Sequence, residues 1–142
     1  MIRYRNGDLF CENVNLNDIT KTYNTPIYIY SKAMILKNCH DYRNAFDCHN
    51  LKNYKIHFAM KANYNLSILK LFLQEGLGID AVSIGEIQKA HFAGFEYKDI
   101  VFSGVGKTRD DLLYAIRNGV GQINVESFEE IQHLINIVNT LK

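Results

Sequence analysis

The sequence lacks the features that mark several protein classes. Its 142 residues include one proline, three cysteines and no tryptophan, which excludes a proline-rich linker and a disulfide framework. Sixteen Lys and Arg residues against fifteen Asp and Glu residues leave a formal charge of +1. So small a basic excess is poorly suited to phosphate backbones or anionic lipid. We therefore expect neither a nucleic-acid partner nor a membrane partner.

Long hydrophobic runs are missing as well. No apolar run approaches the roughly 20 residues that cross a bilayer, and the first twenty residues are too polar for the core of a signal peptide. We expect the protein to stay in the cytoplasm, where a reducing environment keeps cysteines as thiols. Cys11, Cys39 and Cys48 are accordingly interpreted as packing residues.

From residue 55 onward one pattern recurs, consisting of a short apolar run, a turn and a helix-like stretch. The apolar runs span residues 56–62, 79–83, 100–103 and 122–125, so their first positions lie 21 to 23 residues apart. Strands at this spacing need crossover connections, which predicts an α/β fold with a parallel sheet. Periodicity leaves open whether these four units are half of an open doubly wound sheet or half of an eight-stranded barrel.

Capping residues precede each predicted helix. They are Ser31, Asn65, Ser83, Thr108 and Ser127. We expect the last helix to bury an apolar stripe made of Phe128, Ile131, Ile135 and Val138. That stripe continues to Leu141 and no stop signal follows it, so we expect the chain to be truncated.

The segment before Ser31 has a different character. Residues 8–15 are polar and weakly alternating, and Asn24, Thr25 and Pro26 form a predicted turn into an apolar strand at residues 27–30. Composition does not say to which module this segment belongs.

The first apolar run carries a candidate reactive amine. Alternation puts Lys61 on the face opposite Phe58 and Met60. The carboxyl end of a parallel strand is where barrels and open sheets place reactive groups. Desolvation there would favour a neutral amine, which can form an imine with an aldehyde. The alternative is an ordinary surface lysine at a strand end.

Asp80 interrupts the second apolar run, where a carboxylate is costly unless it has a charged or hydrogen-bonding partner. Alternation places Asp80 with Val82, opposite Ile79 and Ala81. A barrel interior or a cofactor site would supply such a partner. Glu126 is placed similarly at the end of the fourth run, with a capping or surface role as the alternative.

Two apparent motifs fail on spacing. The string GVGKT at residues 104–108 would need a glycine at position 101 to be a phosphate loop, and that position is Val. The pairs Cys39-His40 and Cys48-His49 lie nine residues apart on a predicted helix and point in opposite directions. We therefore expect no nucleotide hydrolysis and no metal site.

Five strings in this order and spacing carry a family resemblance: TPIYIYS, FAMKAN, GIDAVSIGEI, IVFSGVGKT and INVES. Together they resemble the amino-terminal half of diaminopimelate decarboxylases, which belong to the alanine-racemase-like, fold type III class of pyridoxal-phosphate enzymes. The resemblance extends from about Asp8 to the end of the chain. FSGVGKT and NVES favour this branch over its siblings.

The resemblance implies an architecture and a cofactor. Residues 31–142 would supply about four βα units of a parallel (β/α)8 barrel, and residues 1–30 would contribute a strand to a separate β domain. Pyridoxal 5'-phosphate would be held by Lys61, the Schiff-base lysine of the family, with Asp80 as a cofactor-binding residue. The ring-stacking histidine, the phosphate loops and the cysteine from the neighbouring subunit would lie outside this chain.

The implied activity is the last step of lysine biosynthesis, in which meso-diaminopimelate becomes L-lysine and carbon dioxide. A cytoplasmic homodimer would perform it, and residues 1–142 alone are expected to be inactive. Two alternatives stay open. One is a sibling decarboxylase of ornithine, arginine or carboxynorspermidine, and the other is a noncatalytic barrel that serves as a binding module.

Overall fold

Two separate sheets organise residues 2–141, the residues that the computed structural model describes. One sheet has three strands and lies in a unit that extends to Tyr54. The other has four strands and lies in a unit that begins at Lys55. The division predicted between residues 30 and 31 stays a prediction, since it concerns domains of a larger protein.

The first sheet is antiparallel, and its connections are two-residue turns. Its strands are β1 (Ile2–Arg5), β2 (Asp8–Cys11) and β3 (Val14–Asn15). Asn6 and Gly7 join the first two strands with φ values of 51° and 89°. Both angles are positive, as the favoured hairpin turn requires, and Asn-Gly is the pair that adopts them at least cost.

The second hairpin turn also fixes the start of a helix. The carboxylate of Glu12 accepts hydrogen bonds from Ser31 Oγ at 2.7 Å and from the backbone N–H of Ala33 at 2.9 Å. These bonds, first that of Ser31, lower the pKa of Glu12. The helices of this unit are α1 (Leu16–Thr22) and α2 (Lys32–Cys48), and Ser31 caps α2 as predicted.

Two expectations about the first unit are wrong. Residues 27–30 do not form a strand, because a strand needs a hydrogen-bonded neighbour and the first sheet contains only β1, β2 and β3. Cys48 is exposed at the last position of α2, whereas Cys11 and Cys39 are buried as expected.

The second unit confirms the predicted α/β pattern with a parallel sheet. The strands lie in the order of the sequence: β4 (His57–Ala59), β5 (Gly78–Ala81), β6 (Ile100–Phe102) and β7 (Gln122–Ile123). The helices between and after them are α3 (Leu66–Gln74), α4 (Ile84–Ala93), α5 (Arg109–Asn118) and α6 (Phe128–Leu141). Short 3-10 turns cover Met60–Ala62 and Tyr97–Asp99.

Alternation gives this sheet two different faces. Ile79, Ala81 and Phe102 are at most 1% exposed and form the face that packs under the helices. The opposite side, which we call the polar face, carries His57, Asp80 and Gln122, since the register aligns His57 with Gly78 and Asp80 with Val101. The packing of the unit therefore leaves one side of the sheet for polar groups.

Capping interactions hold the helices at the carboxyl ends of the strands. Ser83 Oγ accepts from Glu86 N at 3.2 Å, and the Glu86 carboxylate accepts from Val82 N at 2.8 Å. Thr108 and Asp111 form a reciprocal capping box at the start of α5. These pairs satisfy backbone donors that a helix start would otherwise leave unpaired.

The predicted buried stripe of the last helix is wrong. Its four residues, Phe128, Ile131, Ile135 and Val138, are between 39% and 85% exposed. The helix instead packs against α5 and buries Glu130 and Ile137, which lie seven residues apart on one side. The sequence pattern located the helix but not the side that faces the unit.

A buried ion pair joins the start of α6 to the loop after β6. Lys107 Nζ lies 2.8 Å from Glu130 Oε1, with side chains only 2% and 9% exposed, and also donates to Gly104 O at 2.6 Å. Burial raises the pKa of Glu130, but Lys107 and the backbone N–H of Glu126 lower it by more, so the net pKa lies below its usual value. Two strand-end loops are thereby held together.

Removing one partner of this pair should be strongly destabilising. Glu130→Gln leaves the buried Lys107 ammonium without its counter-charge, so we expect the free energy of unfolding to fall by about 3 to 5 kcal/mol. Glu129→Gln removes an exposed charge in the same turn and should cost less than about 1 kcal/mol. Urea denaturation measures both, and equal losses for the two variants would contradict the role of the pair.

Gly121 provides a second test, because two backbone segments approach closely there. Its N–H donates to Tyr97 O at 3.0 Å, and an added Cβ would overlap the carbonyl of Lys98. We expect Gly121→Ala to cost about 1 to 3 kcal/mol of stability. Gly85→Ala is the matched control, because its Cβ would find its nearest atom at 3.9 Å and alanine favours a helix. Equal melting temperatures for the two variants in thermal denaturation would refute this expectation.

Candidate active site

Lys61 lies just beyond the end of β4, in the 3-10 turn Met60–Ala62. The predicted strand over residues 56–62 is therefore too long, since the ladder that pairs β4 with β5 ends at Ala59. The turn lies against β5, Met60 is fully buried and Lys61 is exposed. Within residues 2–141 the Lys61 amine makes no ion pair or hydrogen bond. A buried methionine thus anchors a turn that presents a free amine.

Asp80 occupies the middle of β5 on the polar face and has the partner that its position requires. Its Oδ1 accepts a hydrogen bond from Ser103 Oγ at 2.5 Å, and Ser103 Oγ accepts one from Asn124 Nδ2 at 2.9 Å. The register pairs Asp80 with Ala59, two residues before Lys61. The carboxylate on β5 and the amine in the turn after β4 therefore belong to neighbouring segments of the sheet.

His57 lies on the polar face at the opening residue of β4. Gly78 is opposite it, and a Cβ at Gly78 would overlap the imidazole ring. Partial burial and then the charge of Lys55 lower the pKa of His57, while Asp80 and Asp99 act in the opposite direction. The ring is therefore held mainly in its neutral form at neutral pH.

The other polar groups considered in the sequence, Glu126 and Lys107, make structural contacts. Glu126 is exposed, and its backbone N–H donates to Glu130 Oε2 at 2.9 Å. Lys107 of the GVGKT string is committed to its buried ion pair. In the part of the chain that the structure describes, no three metal-binding side chains cluster. Among the described helices, none combines the length and apolar composition that crossing a bilayer requires.

Comparison with known families decides between the architectures that periodicity left open. The family described as "Pyridoxal-dependent decarboxylase, pyridoxal binding domain" matches residues 32–141. The chain belongs to this decarboxylase family. Pyridoxal phosphate is the family's cofactor. The predicted family and the barrel-type α/β fold are thereby confirmed.

Several decarboxylases resemble the chain along nearly all of its length. The diaminopimelate decarboxylase of Zymomonas mobilis is 41% identical over 137 residues, covering 96% of this chain and 32% of that protein. A crystal structure of the Helicobacter pylori diaminopimelate decarboxylase complexed with L-lysine superposes with a TM-score of 0.82 at 39% identity, covering 89% of this chain and 32% of that one.

A more distant decarboxylase shares the fold. The structure of ornithine decarboxylase from Entamoeba histolytica has a TM-score of 0.73 at 24% identity, covering 86% of this chain and 38% of that one.

The chain spans about a third of the length of the curated relatives that it matches.

The sequence predicted two residues of this candidate site, and the structure adds two neighbours that the sequence analysis missed. Lys61 and Asp80 were selected, but Ser103 and Asn124, which bond to Asp80 directly and through one link, were not. A signal was available, because each is a polar residue that follows an apolar strand in the alternation phase of the polar face. Reading that signal required the register between strands, which a single sequence does not give.

The pKa of His57 generates a testable prediction for this candidate site. Because the folded state holds His57 neutral, its contribution to stability is complete above the ordinary pKa of about 6.5 and is lost as the pH falls below it. NMR titration should give His57 a pKa below 6.5. Urea denaturation should show that the free energy of unfolding decreases as the pH is lowered below about 6.5. His57→Asn should flatten this dependence, and an unchanged slope would contradict the assignment.

Proposed function

We propose that this chain is the amino-terminal part of a pyridoxal-phosphate-dependent decarboxylase that converts meso-diaminopimelate into L-lysine and carbon dioxide. The observation that carries the proposal is the similarity to a diaminopimelate decarboxylase at 41% identity over 96% of the chain. The Helicobacter pylori relative complexed with L-lysine supports the product class. The ornithine decarboxylase, at 24% identity, supports only the shared fold.

Lys61 and Asp80 fit the cofactor. An exposed lysine amine that makes no other polar contact within residues 2–141 is suited to bond to an aldehyde, and Lys61 is such a group. Asp80 adds a fixed carboxylate on the neighbouring strand. When bound, pyridoxal phosphate supplies a ring that accepts the electron pair left by departing carbon dioxide. We propose Lys61 as the residue that holds it and Asp80 as a residue that binds it.

In this proposal, the chain positions the Lys61 amine and the Asp80 carboxylate and restricts the motion of the loops around them. Met60, in the same turn as Lys61, is fully buried, which limits the positions that the amine can take. Ser103 holds the Asp80 carboxylate. The Lys107–Glu130 pair fixes the loops that follow β6 and β7. Preorganised charges of this kind are the usual protein contribution to cofactor catalysis.

The substrate and assembly are part of the proposal. Ornithine, arginine and carboxynorspermidine are the competing substrates, and carbon dioxide release from each amino acid by the complete enzyme discriminates among them. We expect turnover with meso-diaminopimelate at a kcat/KM well above that with the others. We also propose a cytoplasmic homodimer, which light scattering of the complete enzyme would test.

Covalent labelling tests the role of Lys61. Borohydride reduction of the complete holoenzyme followed by peptide mapping should place a phosphopyridoxyl group on Lys61. Lys61→Ala should lose both the label and turnover, since the amine that holds the cofactor is gone. Lys70→Ala, an exposed position on α3, is the matched control and should keep both. A label on another lysine in the wild-type enzyme would refute the assignment.

A further inference from the structure

The polar face carries a chain of side-chain hydrogen bonds that runs in one direction. Gln122 Nε2 donates to Asn124 Oδ1 at 2.6 Å, Asn124 Nδ2 donates to Ser103 Oγ at 2.9 Å, and Ser103 Oγ donates to Asp80 Oδ1 at 2.5 Å. Asp80 is the charged member and stands at the accepting end. This series of hydrogen bonds crosses from β7 through the end of β6 to β5.

Donor and acceptor chemistry fixes this direction. An amide nitrogen can only donate, so Ser103 Oγ accepts from Asn124 and has its single hydrogen left for Asp80. Gln122 bonds to the oxygen of the Asn124 amide, which keeps the amide nitrogen directed toward Ser103. Each member therefore sets the orientation of the next, ending at the carboxylate.

Backbone pairing holds the two middle members in place. Ser103 N donates to Ala81 O and Asn124 N donates to Phe102 O, each at 2.8 Å. The parallel ladder thus continues one residue past β6 and one residue past β7. Because the ladder fixes both backbones, their side chains reach Asp80 without ordering a flexible loop.

From this geometry we infer that Ser103 and Asn124 are positioning residues for the decarboxylase reaction, holding Asp80 in the orientation in which it meets the cofactor at Lys61. This inference rests on the proposed function. Ser103 occupies Asp80 Oδ1, while Oδ2 makes no hydrogen bond within residues 2–141. One carboxylate oxygen is thus anchored and the other is left for the cofactor.

Four variants of the complete enzyme test the inference. Ser103→Ala removes the donor to Asp80, Asn124→Leu removes the donor to Ser103, Asp80→Asn removes the charge, and Ser103→Thr keeps the hydroxyl. The measurements are kcat, KM, the dissociation constant of pyridoxal phosphate and the pH midpoint of the bound cofactor's absorbance. A purely structural role would leave that midpoint where it is.

We expect Ser103→Ala to shift the absorbance midpoint in the same direction as Asp80→Asn and to lower kcat on the order of tenfold, as loss of a hydrogen bond to a charged group does. KM should change by less than about twofold. Asn124→Leu should act in the same direction with a smaller effect, and Ser103→Thr should recover the wild-type midpoint. Ser67→Ala, on the exposed first turn of α3, should match wild type.

The double variant Asp80→Asn/Ser103→Ala separates positioning from an independent role. If Ser103 acts through Asp80, the double variant should have the kcat and midpoint of Asp80→Asn alone. Multiplying losses would overturn the inference. Should Ser103→Ala fail to fold, Asn124→Leu in the same cycle gives the same decision, because it leaves the serine in place.

The outcomes distinguish this inference from the proposed function. A wild-type enzyme labelled on Lys61 whose Ser103→Ala and Asn124→Leu variants keep the wild-type midpoint and turnover would overturn the inference alone. A wild-type enzyme without label on Lys61 would overturn the proposed function and the inference with it. A shared shift, restored by Ser103→Thr, would support both.

Discussion

In the second unit, side chains alternate along short parallel strands, which places the apolar packing residues on one face of the sheet and the polar candidate groups on the other. In β5, Ile79 and Ala81 have no exposed surface, while Asp80 between them points to the opposite face. A shift of one residue in register would bury the carboxylate under the helices and expose the apolar groups. The buried apolar side chains of the strands pack into the core on one face, so the polar side chains lie on the other. The packed core holds the strands that carry the candidate site in fixed positions.

Parallel pairing adds the second constraint, because it brings the carboxyl ends of all four strands to one edge. Lys61 follows β4 and Ser103 follows β6, and each side chain extends from a segment fixed by the ladder or by a buried neighbour. The loops at this edge are held by capping pairs and by the buried Lys107–Glu130 pair. Placement of reactive groups is thus a property of the fold, and their precision comes from local polar contacts.

Family membership is carried by the second unit and by α2, since residues 32–141 match the pyridoxal-binding domain. The relatives are about three times as long as this chain, which covers 32% of the Zymomonas mobilis protein. The proposed contributions of this part are a lysine for the cofactor's aldehyde and an oriented carboxylate. The hydrogen-bond chain to Asp80 gives the carboxylate a defined direction before any ligand binds.

In the second unit, the sequence by itself determined the order of strands and helices, their spacing and the capped helix starts, because these follow from local periodicity and from short-range hydrogen bonding. It also singled out Lys61 and Asp80 as candidate residues, Asp80 because a charge in an apolar run needs a partner. Tertiary structure decided that residues 27–30 form no strand, that α6 buries Glu130 and Ile137, and that Asp80 meets Ser103 and Asn124. These outcomes depend on which backbones become neighbours, and residues more than twenty positions apart meet only when the sheet's register is set.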